Sequence, residues 1–423
     1  MHLFKRYILP SGLRVVLVPQ HQSLASTVLV LVEAGSKYEK KNINGISHFL
    51  EHLCFKGTKK RPTALVINSE LESLGAVSNA FTGQEVTGYF AKVASKHLGK
   101  VLEIVSDLYL NPVFVPAEIE KEKGVIIEEI NMYEDNPMRK VGDLFSELLY
   151  GDQPAGWDIA GRKEIIRSLK REEIVRYRSQ HYVAKATTVV IAGAFNEKEI
   201  LGKIKELFKD TPVAKKFSKS KTVDSQKKPT TLVHYKESDQ THIRLGFRAF
   251  NMFDKRRYAL EVLEDVLGGG MSSRLFQLIR DQMGAAYYVR AGSNLYTDHG
   301  FFAIGAGLDN KRASEVIKAV LGELDKIRKV PVGERELRKS KNHIIGQFLM
   351  GLETSDELAT FYGQQEVFYK KLQTPREAVK KIETVTAKDV LKVAKDIIRK
   401  DYLNLAIIGP FRGKKEFEKI LKI

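Results

Sequence analysis

The chain has 423 residues, 43% of them hydrophobic and 29% charged. That length predicts two or more domains, and the composition excludes a disordered or low-complexity protein. The 69 Lys and Arg residues outnumber the 52 Asp and Glu residues, which gives a net charge of +17 and requires nucleic-acid binding to be considered.

The predicted elements begin with the opening segment, which is basic and apolar. Pro10 and Gly12 interrupt it, so it is interpreted as a first strand and not as a signal peptide. A helical pattern covers residues 197–209. No stretch approaches roughly 18 uninterrupted apolar residues, so no membrane span is expected. Period-two alternation predicts strands at 13–19, 27–33, 76–93 and 241–249.

A polar, lysine-rich stretch at residues 211–230 marks a domain boundary. Residues 215–228 hold six lysines and one aspartate, a charge run typical of a solvated linker. We predict a first domain at 1–212, a linker at 213–229 and a second domain at 230–423. The other basic residues are spread along the chain without a nucleic-acid-binding motif, so we expect no nucleic-acid partner.

The two halves of the chain share a pattern. Gly88 and Gly300 each open a strand that is followed by a long helical run. Each half is expected to form an antiparallel-rich sheet with helices packed on one face, so the predicted class is α+β with two homologous domains. In this register Glu129 aligns with Gln347, and the histidines near residue 50 have no counterpart. Polar residues present in one half only are less expected to be requirements of the fold.

The only cysteine is Cys54. It allows no intramolecular disulfide and excludes a zinc site built from thiolates. A reducing compartment fits this composition, and a cytoplasmic location is the expectation.

The stretch GISHFLEHLCF combines helical apolar spacing with an H-x-x-E-H motif. His48 and His52 are four residues apart, so on a helix they share one face and can hold one metal ion. Glu51 borders that face, within reach of a metal-bound water. The motif reverses the H-E-x-x-H order that is familiar from zinc proteases. Asn44 is a candidate cap for the helix. The alternative is a pair of partly buried histidines with ordinary hydrogen bonds.

A catalytic zinc site with two histidines needs a third protein ligand. Glu122 and Glu129 are two helical turns apart on an apolar stripe, whereas Glu128 lies on a polar side. A carboxylate on an inward stripe needs a partner, because burying an unpaired charge is costly. We predict Glu129 as the third ligand and Glu122 as an accessory carboxylate. The alternative is that both glutamates pair with buried arginines. The predicted apolar stripe of this helix comprises Ile119, Val125, Ile126, Met132 and Tyr133.

The chain resembles the pitrilysin or insulinase family of inverzincin metallopeptidases, in the branch of the mitochondrial processing peptidase beta subunit and its bacterial relatives. The resemblance rests on GISHFLEHLCFKGT, LGAVSNAFTGQEVTGYF, EKEKGVIIEEINMYEDNP, GDQPAGWDIAG and GGGMSSRLFQLIRDQMGAAYYV. It covers nearly the whole chain. It implies His48, His52 and Glu129 as ligands of one zinc ion, with Glu51 as base and Glu122 beside them.

The resemblance also implies that Arg280 and Tyr287 contact the substrate from the second domain. They are seven apart, so they either share a helical face or flank a helix end; ordinary packing is the alternative. The run at residues 268–270 resembles a shortened glycine-rich loop, although a plain turn fits as well. Two such chains are expected to close around a chamber, as a homodimer or as a heterodimer with a related subunit, with Arg280 and Tyr287 acting in trans.

The predicted function is zinc-dependent hydrolysis of unfolded peptides or presequences inside that chamber, with a zinc-activated water and Glu51 as general base. An extended peptide is expected to add to the strand containing Asn79, Ala80, Phe81 and Thr82. The alternative is a non-catalytic scaffold or partner subunit of a related peptidase. Such subunits usually carry a damaged H-x-x-E-H motif, and here the motif is intact.

Overall fold

The computed structural model describes residues 4–423, which form two compact units. Unit 1 comprises the chain up to Asn131, Trp157–Ser220 and Leu349–Pro375, and unit 2 comprises Met132–Gly156, Lys221–Phe348 and Arg376–Ile423. One crossing between the units, after Ser220, lies within the predicted linker. Each unit also takes one segment from the other half of the chain, which the predicted boundaries did not include.

Eleven strands occur among the described residues: β1 (Lys5–Ile8), β2 (Arg14–Pro19), β3 (Ala25–Val32), β4 (Val77–Thr82), β5 (Thr87–Ala94), β6 (Thr187–Gly193), β7 (Thr230–Tyr235), β8 (Gln240–Ala249), β9 (Ala286–Leu295), β10 (Gly300–Asp309) and β11 (Leu403–Gly409). The predicted strands are therefore confirmed, with the run at 76–93 divided by a turn into β4 and β5. The predicted first strand comprises two strands, β1 and β2.

The α-helices among the described residues are α1 (Ile46–Cys54), α2 (Ala64–Ser73), α3 (Leu98–Leu110), α4 (Pro116–Asp135), α5 (Pro137–Tyr150), α6 (Lys163–Ser168), α7 (Arg171–His181), α8 (Glu197–Leu207), α9 (Arg257–Gly268), α10 (Ala313–Ile327), α11 (Glu334–Met350), α12 (Ser355–Phe368), α13 (Pro375–Glu383), α14 (Ala387–Ile397) and α15 (Lys415–Ile420). None of the helices within residues 4–423 is both long and apolar enough to cross a membrane.

The two sheets repeat one topology. The strand order is β1-β2-β6-β3-β5-β4 in unit 1 and β7-β11-β8-β10-β9 in unit 2. In each sheet one pair is parallel, β2 with β6 and β7 with β11, and the remaining pairs are antiparallel. Removing β1 makes the two orders equivalent, so β4 and β9 are corresponding edge strands. The α+β class and the antiparallel-rich sheets are confirmed.

Helices cover both faces of the unit 1 sheet. Alternate strand residues such as Val28, Val30 and Ile191 join a core with α1, α3 and α8. The opposite face is covered by α12, which comes from the second half of the chain. At Gly363 this helix lies so close to the sheet that a Cβ atom would be 2.8 Å from a methyl group of Leu31.

The unit 2 sheet is covered in the reciprocal way. One face packs with α9, α10 and α14 in a core that includes Ile243, Ile304 and Leu405. On the other face Phe145 of α5, from the first half of the chain, packs in a cluster with Phe301 and with other residues of β10 and β11. The sequence predicted helices on one face only, and a helix exchanged between the halves covers the second face of each sheet.

The lysine-rich stretch is anchored and not simply solvated. Lys216 forms an ion pair with the buried Glu33. Lys219 Nζ lies 2.9 Å from Glu85 Oε1, and the side chain of Glu85 is 3% exposed. Most of residues 215–228 are exposed, as expected of a solvated linker, but Lys216 and Lys219 neutralise buried carboxylates.

A buried histidine in unit 1 predicts a pH-dependent stability. His181 of α7 packs on the rings of Tyr177, Tyr38 and Phe217, with centroids 4.3, 5.7 and 5.6 Å away. Burial lowers its pKa from 6.5 to about 4. As pH falls from 6.5 towards 4, His181 becomes protonated in the unfolded chain but stays neutral in the folded chain. This difference should lower the free energy of unfolding by about 3 kcal/mol.

Replacing His181 by Gln should remove that part of the acid destabilisation. The measurement is urea unfolding of the chelator-treated protein at pH 7.5, 5.5 and about 4.5. The exposed His21→Gln variant is the matched control. An acid slope in His181→Gln equal to that of the wild type would contradict the prediction.

Candidate metal centre

Helix α1 presents both histidines of the motif on one side. Its opposite side, which includes Phe49, Leu50 and Leu53, is fully buried in the unit 1 core, so the helix cannot rotate without exposing these side chains. The rings of His48 and His52 lie 4.6 Å apart between centroids. Their side chains are 12% and 21% exposed, which leaves them accessible from solvent.

The first turn of α1 is capped by Glu39, which the sequence did not indicate. Its carboxylate accepts hydrogen bonds of 2.8 Å from the backbone N–H groups of Gly45 and Ser47. Asn44, the predicted cap, instead donates its side-chain amide to Glu39 at 2.9 Å. Burial raises the pKa of Glu39 to about 7, although these hydrogen bonds oppose the shift. A carboxylate at this end of a helix stabilises it through the helix dipole.

Helix α4 brings a carboxylate to the two histidines. Glu129 Oε2 lies 3.6 Å from His48 Nε2 and 3.4 Å from His52 Nε2. Its neighbour Glu128 is exposed and accepts a 3.3 Å hydrogen bond from Asn131. The face argument that separated these adjacent glutamates therefore agrees with the geometry.

The apolar stripe of α4 differs in part from the predicted one. Its buried residues are Ile119, Glu122, Ile126 and Ile130, so Glu122 does lie on the inward side. Val125 and Met132 were placed on the stripe, but they are 50% and 59% exposed. The sequence alone does not separate exposed apolar residues of this helix from its core residues.

Glu122 orients one of the histidines. Its side chain is 3% exposed, lies 2.9 Å from His52 Nδ1 and forms a 2.6 Å ion pair with Lys56. Burial lowers the pKa of His52, but the hydrogen bonds to Glu122 and Glu129 outweigh it and raise the pKa to about 9. Zinc binding requires the neutral ring, in which Nδ1 donates to Glu122 and the lone pair of Nε2 is left for the metal on the side of Glu129.

Glu51 belongs to α1, and its side chain contacts the edge strand β4. Thr82 donates a 2.5 Å hydrogen bond to Glu51 Oε2. Burial raises the pKa of Glu51, and the Thr82 hydrogen bond opposes that shift. Residues 79–82 belong to β4, which pairs only with β5 among the described strands. The free edge of the sheet is therefore adjacent to this carboxylate.

The donor set of His48, His52 and Glu129 fits zinc. One ligand atom from each residue lies within 4.8 Å of the others, and no other such group occurs in the described part of the chain. Tetrahedral zinc with bonds of about 2.0–2.1 Å separates its ligand atoms by about 3.3–3.4 Å. The two measured imidazole–carboxylate separations, 3.4 and 3.6 Å, agree with that spacing.

Arg280 and Tyr287 lie together in unit 2 but do not share a helical face. Arg280 is in a π-helical turn, Phe276–Gln282, and Tyr287 is in β9. Both line a cavity of about 780 Å³, and Tyr287 is 76% exposed. These two residues therefore flank the end of the turn and face one open cavity.

The glycine run at residues 268–270 ends α9. A Cβ atom on Gly268 would lie 2.3 Å from the backbone nitrogen of Ala291, and one on Gly269 would lie 2.2 Å from Asp265 Oδ1. Packing within unit 2 thus accounts for both glycines.

Comparison with known proteins places this chain in a family. Residues 14–163 match Insulinase (Peptidase family M16), and residues 168–344 match Peptidase M16 inactive domain. A Bacillus subtilis protein named uncharacterized zinc protease YmxG is 32% identical over 96% of this chain and 98% of its own length. An uncharacterized zinc protease of Mycobacterium leprae is 32% identical over 99% of this chain and 94% of its own length.

Solved structures give the same result for the fold. The crystal structure of a protease from Helicobacter pylori has a TM-score of 0.91 and 25% identity over 97% of this chain and all of its own. A peptidase M16 inactive domain from Pseudomonas fluorescens has a TM-score of 0.89 at 16% identity, covering 97% of this chain and 99% of its own. Together with the family matches, the full-length relatives show that the chain belongs to the insulinase (M16) peptidase family.

Proposed function

We propose that this protein is a zinc endopeptidase that binds one zinc ion per chain through His48, His52 and Glu129. The observation that carries the proposal is the convergence of these three donors beside Glu51. Glu122 supports the set, because its contact with His52 Nδ1 fixes the ring that carries the ligand nitrogen. The zinc protease names of full-length relatives agree with this assignment.

Zinc, when bound here, supplies a Lewis acid that acidifies water and polarises a carbonyl group. Glu51 accepts the proton of the attacking water and returns it to the leaving amine. Thr82 holds one oxygen of Glu51 in place through its 2.5 Å hydrogen bond.

The substrate we propose is an unfolded peptide or presequence. An extended chain can add to the free edge of β4 through backbone hydrogen bonds at Asn79, Ala80, Phe81 and Thr82. This binding mode recognises few side chains of the substrate and requires the substrate backbone to be extended. Folded proteins are therefore excluded as substrates unless they first unfold.

We propose further that the active form is a homodimer, with a heterodimer of related subunits as the second possibility. Arg280 and Tyr287 would contact the substrate in trans and stabilise the developing oxyanion. Their position on one cavity wall supports a joint role. A non-catalytic scaffold is the competing function, and the intact, convergent H-x-x-E-H residues favour the enzyme.

The test is metal removal. We expect purified protein to contain about one zinc per chain, to lose cleavage of an unstructured peptide on chelation, and to regain it with zinc. A stable folded protein should resist cleavage under the same conditions. Cleavage that continues after complete removal of the metal would contradict the proposal, and rapid digestion of the folded protein would contradict the substrate class.

A further inference from the structure

Unit 2 contains a second cavity, of about 520 Å³, with a basic wall. Its lining includes the cationic side chains of Arg248, Arg256, Lys395 and Arg399 and the carboxylates of Asp224 and Asp396. Four positive charges against two negative ones give the lining residues alone a net charge of +2, while Asp254 and Asp401, outside the lining, pair with Arg256 and Arg399. The metal centre does not involve any of them.

Arg248 is the fixed donor of this cavity. Its side chain is 8% exposed. It donates hydrogen bonds to the carbonyl oxygen of Leu149 and, at 2.7 Å, to Gln226 Oε1. The remaining Nη1 is buried and donates no hydrogen bond, although Asp224 Oδ1 lies 3.0 Å away. The guanidinium is thus held rigidly, and its Nη1 is paired with the Asp224 carboxylate without a well-aligned hydrogen bond.

The other cations differ in how strongly they are held. Arg256 is fixed by Asp254 at 2.6 Å and Asp396 at 2.7 Å. Arg399 forms an exposed ion pair with Asp401 at 3.1 Å and lies over the ring of Tyr402, 4.8 Å from its centroid. Lys395 is exposed and forms no ion pair within the described residues. Lys395 is therefore free to turn towards a ligand in the cavity.

We propose that this cavity binds the phosphate group of a small phosphate monoester. A phosphate monoester carries about −1.5 to −2 charge at neutral pH, which Arg248 and Lys395 balance once Asp224 has turned away. Arginine forms strong, directional hydrogen bonds to phosphate oxygens. Asp224 is 46% exposed and now lies beside Arg248, so a bound phosphate oxygen takes its place and the carboxylate turns to solvent.

The experiment titrates the full-length protein with inorganic phosphate and with glycerol 3-phosphate by calorimetry, at ionic strength held constant with chloride. We expect saturable binding of both. Asp224→Asn should bind severalfold more tightly, because it removes the competing charge. Lys395→Gln should bind about fivefold more weakly. Lys392→Gln, an exposed lysine on the same helix that does not line the cavity, should bind like the wild type.

Melting temperatures in chloride alone check that each variant folds. Absence of saturable binding would overturn the proposal, and so would weaker binding by Asp224→Asn. Equal losses in Lys392→Gln and Lys395→Gln would show a diffuse charge effect in place of a site. Vesicles containing phosphatidic acid form a separate arm: binding to them without binding of glycerol 3-phosphate would assign the site to a lipid headgroup and overturn the small-molecule ligand.

Discussion

Replacing Glu51 by Gln is expected to lower peptide turnover by about 10³-fold while the zinc stays bound, since general-base catalysis contributes on that order. Gln keeps the size and the hydrogen bond from Thr82 but cannot accept a proton. None of the three proposed ligands is altered. The measurements are zinc content by elemental analysis and cleavage of an unstructured peptide. Glu72→Gln, an exposed glutamate of α2, is the matched control.

Undiminished turnover in Glu51→Gln would contradict the proposed mechanism.

The same variant also tests the dimer. Mixed with an inactive Tyr287→Phe variant, it should regain part of the activity, because a hybrid dimer contains one site with both residues intact. No recovery after proven subunit exchange would mean that the site lies within one chain or that Tyr287 has a structural role.

Replacing Glu129 by Gln is expected to weaken zinc binding by about 10²-fold or more, whereas Glu128→Gln should bind zinc like the wild type. The two residues are adjacent on α4, so they share helix propensity, charge change and surroundings. They differ in direction, because Glu129 Oε2 lies 3.4 Å from His52 Nε2 and Glu128 contacts Asn131 instead. Loss of one ligand from a three-ligand zinc site is costly.

The measurement is competition with a chromophoric zinc chelator, which reports the zinc affinity of each variant independently of its peptidase activity. Circular dichroism of the metal-free variants checks the fold. Equal zinc affinities for Glu128→Gln and Glu129→Gln would remove Glu129 from the ligand set, and the remaining histidines would then need another partner.

Local rules predicted which side chains converge at the candidate metal centre. Two histidines four residues apart must share a helix face, and the seven-residue spacing of Glu122 and Glu129 places them on one side of α4. The same reading failed at Val125 and Met132, because hydrophobicity alone does not report exposure. Glu39 and Thr82 were missed as partners of α1, because each contacts it from another element of the fold.

Contacts between distant parts of the chain could not be predicted from the sequence. Lys216 and Glu33 are 183 residues apart, and no local pattern links a lysine-rich stretch to a particular buried carboxylate. The repeat predicted two similar sheets, which the strand orders confirm. It did not predict that the second face of each sheet would be covered by a helix from the other half. A periodic pattern shows that a helix has an apolar face, but it does not show which sheet that face packs against.

That exchange makes the two halves mutually dependent, like a domain swap carried out within a single polypeptide. A fragment ending at residue 212 would lack α12 and leave apolar side chains such as Leu29, Leu31 and Val190 uncovered. The complementary fragment would lack α5 and expose Phe301 and Ile408. Exposed apolar sheet faces of this kind promote aggregation. Cutting the chain at its most obvious boundary would therefore separate two incomplete folds.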